Sequence, residues 1–444
     1  MEAALRGLEA EGHEVAAAIL VGGREKLPAG GLDAYGDVKV LTGADPRLVL
    51  DNAIVDLGPE GVLDLSDEPV LDYRRRMDLI SVALHRRVPY AGTDFRFDPP
   101  RLERIAEKPS ISVIGTGKRT GKTAVAGFAA RALKERGHRP VIVAMGRGGP
   151  AEPEVLHGDE ITLAPRDLVE LAASGKHAAS DYVEDALLGR VKTVGCRRCG
   201  GGLAGGVEIS NVAGGVRIAN ELPGDLLLLE GSGSAIPPVR ADVDVLVIPA
   251  SIPEEYIAGY LGSYRLLLAD FVVVTMCEEP FGSPSKISTL LKLIEKRWHS
   301  GIQGKIPEGE IQVVRTVFRP TPTRSVEGAR VFVTTTAPEA VGEAIKQHLE
   351  DEHGCDVVGI SHSLSDRQKL QGELQGLGDR ADLLLCEIKA AGIDVATRKA
   401  LEEGLEVVYM DNVPHGIEGD DMTGMIDGAG RLAVARFQAE REKR

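Results

Sequence analysis

A glycine-rich segment that ends in Gly-Lys-Thr is the part of the sequence best suited to chemistry. Residues 111–123 read ISVIGTGKRTGKT, an apolar run that leads into a glycine-rich loop and then into a helix. In such a loop backbone N–H groups surround phosphates, the lysine reaches the β- and γ-phosphates, and the threonine hydroxyl binds Mg²⁺. The segment departs from the usual spacing, because Thr116 stands where the first glycine is expected. We predict a P-loop with these nucleotide-binding residues: Gly117, Lys118, Arg119, Thr120, Gly121, Lys122 and Thr123.

An acidic residue at the end of a second apolar run is a candidate partner for this loop. The segment 225–234 reads DLLLLEGSGS, which places Glu230 at the end of a strand and before a glycine-rich turn. P-loop enzymes hold Mg²⁺ between the loop hydroxyl and such an acid. We therefore predict that Thr123 and Glu230 bind Mg²⁺. No Asn-Lys-x-Asp motif for guanine occurs in the sequence, so ATP is the predicted nucleotide.

Two arginine-bearing segments are candidates for binding an anionic substrate. Arg147 and Gly148 follow the apolar run 141–145, and Arg197 and Arg198 lie in CRRCGGGLAGG, residues 196–206. A guanidinium binds phosphate in a bidentate manner, and glycine allows close approach of backbone amides. We predict that these four residues bind the substrate. The alternatives for Cys196-x-x-Cys199 are a zinc site and a redox pair, although one such pair supplies only two metal ligands.

Other titratable residues are open alternatives. His157, His177 and Asp181 lie in a stretch predicted to be helical between the two arginine segments. Lys389 follows the apolar run 383–386 and precedes a helical stretch. Each of these positions is also compatible with an ordinary solvated side chain.

The elements that must position these residues follow an α/β pattern throughout the chain. Short apolar runs alternate with amphipathic stretches, which is typical of a parallel sheet with helices on its faces. Proline-rich segments at 98–100 and 319–324 suggest boundaries. We predict a parallel-sheet P-loop NTPase core flanked by N- and C-terminal α/β units, with domains at 1–108, 109–325 and 326–444. The first residues read as a helix, so a strand preceding Met1 is an open alternative.

Composition excludes several classes of protein. The net charge of −15 disfavours a nucleic-acid partner, because binding to a phosphate backbone requires a basic surface. No apolar run has the roughly 18 residues of a membrane span, and 5 cysteines do not form a disulfide framework. We expect a cytoplasmic homodimer that binds neither nucleic acid nor membrane.

Four segments resemble a known family. The P-loop and Glu230 together resemble dethiobiotin synthetase. The strings IGTGKRTGKTAVAGFAARAL, VGCRRCGGGLAGG, LLLLEGSGSAIPPV and CEIKAAGIDVATRKALEEGLEVVYMDNVP, in this order, are similar to the cyclic 2,3-diphosphoglycerate synthetase family. This resemblance implies ATP-driven closure of a phosphoanhydride within 2,3-diphosphoglycerate.

The predicted cations are compatible with that reaction. The attacking group is already an anion, so catalysis requires charge neutralisation and alignment rather than a strong base. We assign catalytic roles to Lys118, Lys122, Arg147 and Arg197. The alternatives are a 2-phosphoglycerate kinase or another small-molecule kinase, which would share the pocket, and a non-enzymatic NTPase, which would require metal-ligand clusters.

Overall fold

The computed structural model of the protein describes residues 2–22, 38–161, 164–174, 180–299, 302, 304 and 310–443. Thirteen strands, several of them continuously apolar, form one sheet. The order from edge to edge is Ile209–Ser210, Lys192–Cys199, Pro140–Gly146, Leu226–Glu230, Ser110–Gly115, Val243–Pro249, Phe271–Thr275, Gln312–Pro322, Glu406–Gly416, Leu383–Glu387, Arg330–Thr334 and Asp356–Ser361. The strand Glu154–His157 pairs with Lys192–Cys199 outside this order.

The long strand Gln312–Pro322 joins two parallel parts of the sheet. Its residues 312–315 are parallel to Phe271–Thr275, and its residues 316–322 are antiparallel to Glu406–Gly416. We call the strands from Lys192–Cys199 to Phe271–Thr275 the P-loop block, and the four strands from Glu406–Gly416 to Asp356–Ser361 the C-terminal block. Neighbouring strands within each block are parallel. The predicted α/β class with a parallel sheet is confirmed.

Helices cover both faces of this sheet, which explains why its strands are apolar at consecutive positions. On the strand Pro140–Gly146, Ile142 packs in one buried cluster and Val141 in another. The helices are Lys122–Glu135, Pro165–Ala173, Asp181–Gly189, Val212–Glu221, Gly342–His353, Arg367–Glu373, Arg398–Glu402 and Met422–Glu442, with a π-helical segment at Gly392–Thr397 and 3-10 turns at Glu339–Val341 and Leu377–Asp379.

The chain divides into two compact units. The larger unit comprises 101–252, 270–288 and 312–444 and contains the whole 13-stranded sheet. The smaller unit comprises 1–100, 253–269 and 289–311. Its elements are the helices Glu2–Ala10, Pro46–Leu57, Tyr73–His85, Glu255–Ala258 and Gly262–Leu268, and the strands Ala18–Ile19, Val40–Leu41, Val62–Leu63, Tyr90–Ala91 and Arg96–Phe97. The helix Pro284–Arg297 has residues in both units. No helix in the described part of the chain has the length and apolar character needed to cross a membrane.

Two local predictions were wrong. Arg197 and Arg198, whose glycine-rich surroundings predict a loop, belong to the strand Lys192–Cys199. His157 ends the strand Glu154–His157, where a helix was predicted. The proline-rich segment 319–324 is largely part of the strand Gln312–Pro322. The domain boundaries 1–108, 109–325 and 326–444 stay predictions.

Candidate active site

The P-loop segment folds as a strand, a loop and a helix, in the order expected from its sequence. All six residues of Ser110–Gly115 are buried, and the helix Lys122–Glu135 begins directly after Gly121, whose φ of 89° is one that glycine readily adopts. The Lys122 side chain lies over the loop, and its ammonium donates to the Gly117 carbonyl at 2.8 Å and to the Thr120 hydroxyl at 3.2 Å. The ammonium thus lies against the concave loop in which a phosphate would bind.

Thr123 and Glu230 meet at this loop. The strand Leu226–Glu230 is the direct neighbour of Ser110–Gly115, and the Thr123 hydroxyl donates to Glu230 Oε1 at 2.7 Å. Glu230 is 1% exposed, and its Oε2 has no hydrogen-bond partner. Burial raises the pKa of Glu230 to about 7, Asp181 adds to the rise, and the Thr123 hydroxyl partly offsets it. The carboxylate is therefore short of positive charge in the protein alone.

The helix Asp181–Gly189, which we call the acidic helix, adds further carboxylates to this region. Asp181, Glu184 and Asp185 are three and four residues apart and therefore share one face of the helix. Asp185 is 1% exposed, and its carboxyl group lies against that of Glu230 with no other hydrogen-bond partner among the described residues. Burial and then the neighbouring Glu230 raise the pKa of Asp185 well above its ordinary value.

Sequence reasoning missed Asp185. Three acids on one helical face were visible in the sequence, but such a face is usually solvated, and only tertiary packing buries this one. Two adjacent buried carboxylates with a single hydroxyl donor between them fit a divalent cation, which prefers oxygen ligands.

The arginine strand, Lys192–Cys199, places the side chains of Arg197 and Arg198 on opposite faces of the sheet. Successive side chains of a strand point to opposite faces. The Arg197 Nε donates to the Gly149 carbonyl at 2.6 Å. Arg198 is 3% exposed and donates to the carbonyls of Gly200 at 2.8 Å and Ser232 at 2.7 Å. The two guanidiniums therefore do not act on the same side of the strand.

Arg198 lies beside the P-loop. A Cβ placed on Gly233 would lie 3.3 Å from Arg198 Nη2 and 3.7 Å from Lys118 Cγ, so these two cationic side chains flank one glycine. Burial lowers the pKa of Arg198, and the charge of the exposed Arg147 lowers it further. The structure thus brings Lys118, Arg147 and Arg198 into one region, with Gly148 following Arg147 at the end of the strand Pro140–Gly146.

The remaining candidates lie apart from the P-loop or cannot be located. Cys196 is buried and Cys199 exposed, and their odd spacing on a strand directs them to opposite faces, which does not suit a shared zinc ion. His157 lies close to Asp159 and Glu160, with candidate ligand atoms within 4.8 Å of one another, but both acids already contact Lys192. His177 lies outside the described residues.

Comparison with known proteins connects this geometry to one family. Family models described as the N-terminal, P-loop and C-terminal domains of cyclic 2,3-diphosphoglycerate synthetase match residues 1–98, 110–302 and 322–413. Among relatives with that name, the Methanothermobacter thermautotrophicus protein is 44% identical, covering 98% of this chain and 94% of the relative. The Rubrobacter xylanophilus protein is 46% identical, covering 94% of this chain and 92% of the relative.

Solved structures give a much weaker likeness. LpxK from Aquifex aeolicus in complex with ATP aligns over 76% of this chain and 90% of its own at 12% identity, with a TM-score of 0.40, which is too low to support any inference. The sequence relatives, in contrast, extend over nearly the whole chain at high identity. The chain belongs to the cyclic 2,3-diphosphoglycerate synthetase family.

Proposed function

We propose that the protein closes 2,3-diphosphoglycerate into cyclic 2,3-diphosphoglycerate at the expense of ATP, with release of ADP and phosphate. The observation that carries this proposal is the proximity of a P-loop lysine, a hydroxyl–carboxylate pair and a buried guanidinium in one compact unit. The described hydrogen-bond partners of that guanidinium, Arg198, are two carbonyls and a hydroxyl. A buried cation held by neutral groups can still neutralise an anion. The synthetase relatives support cyclisation over the kinase alternative.

The reaction needs two successive phosphoryl transfers. An oxygen of one substrate phosphate attacks the γ-phosphorus of ATP, and ADP leaves. An oxygen of the other substrate phosphate then attacks the activated substrate phosphorus, and inorganic phosphate leaves with the bridging oxygen. Both nucleophiles are anions, so the protein contributes charge neutralisation and alignment rather than proton removal.

The position of each residue indicates its role in this reaction. The P-loop residues 117–123 bind the phosphates of ATP, and Lys122 neutralises the γ-phosphate during transfer. Lys118 and Arg198, which flank Gly233, bind the substrate phosphate nearest the γ-phosphate. Arg147 and Gly148 add a cation and a backbone amide at the end of a neighbouring strand. Arg197 fixes the Gly149 carbonyl and so holds that loop in place.

Thr123, Glu230 and Asp185 are suited to hold Mg²⁺. The donor set would be a hydroxyl and two buried carboxylates, which are oxygen ligands of the kind that Mg²⁺ prefers. Mg²⁺ neutralises charge on the β- and γ-phosphates when it is bound. Apart from each other, the Oε2 of Glu230 and the carboxyl of Asp185 have no hydrogen-bond partner among the described residues.

Phosphorus NMR tests the reaction and its order together. Protein, ATP, Mg²⁺ and 2,3-diphosphoglycerate with ¹⁸O in its non-bridging phosphate oxygens should yield the cyclic product. The released phosphate should carry one ¹⁸O, because its bridging oxygen originates in the substrate. A phosphorylated product without ring closure would identify a kinase instead. Cyclic product with unlabelled phosphate, under conditions without exchange, would contradict the proposed order.

The metal assignment predicts a loss of cation affinity in two variants. Glu230→Gln and Asp185→Asn should each weaken Mn²⁺ binding in the presence of ADP by about 10–100-fold, the range for losing a metal-supporting group. Electron paramagnetic resonance of free Mn²⁺ measures this affinity without turnover. Glu160→Gln is the control, because Glu160 lies with His157 and Asp159 in the other group of candidate metal ligands. Normal Mn²⁺ affinity in both variants, or a loss only in Glu160→Gln, would refute the assignment.

The homodimer, the cytoplasmic location and the three domain boundaries stay predictions. Gel filtration with light scattering addresses the first of these, and expression of 1–108, 109–325 and 326–444 as separate chains addresses the third.

A further inference from the structure

A lysine from the C-terminal block reaches the acidic helix beside the P-loop. Lys389 follows the buried strand Leu383–Glu387, and its ammonium donates to Glu184 Oε2 at 2.7 Å. The two residues are 205 positions apart in sequence. Because Glu184 lies between Asp181 and Asp185 on one helical face, the contact brings the ammonium to the carboxylates that border the P-loop.

The backbone around Lys389 is fixed. The Lys389 N–H donates to the Glu387 carbonyl at 2.8 Å, and the Lys389 carbonyl accepts from the Ile393 N–H at 2.9 Å. A continuous helix extends over residues 390–402 and contains the π-helical segment Gly392–Thr397. π-helical segments are rare in proteins, and those that occur are often found at functional sites. Lys389 therefore stands directly before the N-terminus of a long helix, where the partial positive charge favours anions.

The neighbouring acid does not neutralise this lysine by direct contact. Glu387 accepts hydrogen bonds from the Thr335 hydroxyl, from the backbone N–H and hydroxyl of Thr336, and from the Asn412 amide. Its oxygens are therefore already engaged. Glu184 remains as the acid in contact with Lys389.

The ammonium retains donors for a ligand. A lysine ammonium has three N–H donors, and Glu184 is its one hydrogen-bond acceptor among the described residues. The Lys389 side chain is 38% exposed, whereas Glu184 is 13% exposed. The ion pair therefore holds the ammonium in a defined place, while part of the lysine side chain stays exposed.

The charges of three cations from three segments act on Asp181. Burial raises the pKa of Asp181, and Lys389, Lys122 and Arg198, in this order, oppose the rise. A Cβ placed on Gly146 would lie 3.5 Å from Asp181 Oδ2, so this carboxylate lies at the end of the strand that precedes Arg147. Lys389 thus borders the same region as the P-loop lysine and the buried arginine.

We infer that Lys389 binds a phosphate of the substrate, and that Glu184 positions its ammonium. This inference rests on the proposed function, because it concerns a substrate with two phosphates. Each phosphate carries a charge of about −1.5 to −2 near pH 7, so bringing two of them together requires a cation at each. Arg198 and Lys118 serve one phosphate from the P-loop block, and Lys389 serves the other from the C-terminal block.

Direct binding and turnover of Lys389 variants test the inference. Lys389→Met should weaken the affinity for 2,3-diphosphoglycerate, measured by calorimetry, and raise its KM, each by about tenfold or more, as expected for losing a charge-assisted phosphate contact. ADP binding should stay unchanged. Lys399→Met is the matched control, because Lys399 is also 38% exposed and forms an ion pair with Glu403 in the same region of the chain.

A double variant separates substrate binding from a merely structural ion pair. Lys389→Met alone leaves Glu184 unpaired and lowers the melting temperature, and Glu184→Gln/Lys389→Met should restore the melting temperature without restoring substrate affinity. Recovery of normal affinity in the double variant, or normal affinity in Lys389→Met, would overturn the inference. Unmutated protein that binds 2,3-diphosphoglycerate but forms no cyclic product would refute the proposed function while leaving Lys389 testable through affinity.

Discussion

Replacing Lys122 with alanine is expected to reduce ATP turnover by at least about 10²–10³-fold, the usual cost of removing a group that stabilises charge in the transition state. Its ammonium lies on the Gly117 carbonyl and the Thr120 hydroxyl, inside the loop that receives the β- and γ-phosphates. Truncation leaves no other ammonium at that point. The reacting phosphoryl group would then develop charge without its closest cation.

The fold should tolerate this change. Lys122 is 7% exposed, but the hydrogen bonds to the Gly117 carbonyl and the Thr120 hydroxyl are made within the loop. The net cost of losing a typical hydrogen bond is about 0.5–1.5 kcal/mol per bond, so circular dichroism should show a native spectrum and a cooperative melt.

Lys134→Ala is the matched control for Lys122. It removes a lysine from the last turn of the same helix, where the side chain is exposed and donates to the Arg190 carbonyl. Turnover of ATP should be unchanged in this variant. A folded Lys122→Ala protein with near-normal turnover would show that the P-loop assignment is wrong.

The parallel sheet was predictable because its strands are apolar at consecutive positions. The apolar runs LLLLE and FVVVT predict strands with the observed bounds Leu226–Glu230 and Phe271–Thr275, and all their residues are buried. A strand that is buried on both faces is apolar at consecutive positions, and this pattern can be recognised from the sequence alone. The meeting of Thr123 and Glu230 follows from the same feature, because carboxyl ends of neighbouring parallel strands lie at one edge of the sheet.

The arginine strand was not predictable from its sequence. It contains Gly195 and two arginines, a composition that is more typical of a loop than of a buried strand. In the structure a Cβ on Gly195 would lie 2.5 Å from Tyr182 Cγ, so the glycine allows the tyrosine ring to pack against the strand. The packing of Tyr182, from a helix outside the strand, thus explains Gly195, a residue that local propensity places in a turn.

The prolines of the joining strand are explained in a similar way. From its sequence, this strand is expected to span 312–318 and to end before Pro320 and Pro322. Residues 312–315 pair with Phe271–Thr275, whereas 316–322, which include both prolines, pair with Glu406–Gly416 alone. Proline is tolerated where one side of a strand is unpaired. Sequence alone does not reveal which part of a strand has which neighbour.

Replacing Arg198 with lysine is expected to lower kcat/KM for 2,3-diphosphoglycerate by about 10²-fold, with ADP binding little changed. The guanidinium spans the carbonyls of Gly200 and Ser232, and its Nε has no partner among the described atoms. Lysine keeps the charge but cannot reach both carbonyls and also present a further donor. A lower kcat/KM in Arg198→Lys would therefore result from the lost guanidinium geometry rather than from a change in charge.

The other two predicted arginines should respond less. Arg147 is exposed, so Arg147→Lys keeps a mobile charge and should lower kcat/KM by about tenfold at most. Arg197→Lys should act through the Gly149 loop, because the Arg197 Nε donates to the Gly149 carbonyl. Arg217→Lys is the control, since Arg217 is 63% exposed and contacts Glu103 at 3.8 Å. Unchanged KM and kcat in all three site variants would exclude the arginine pocket and would leave Lys389 and the C-terminal block as the place to seek the substrate phosphates.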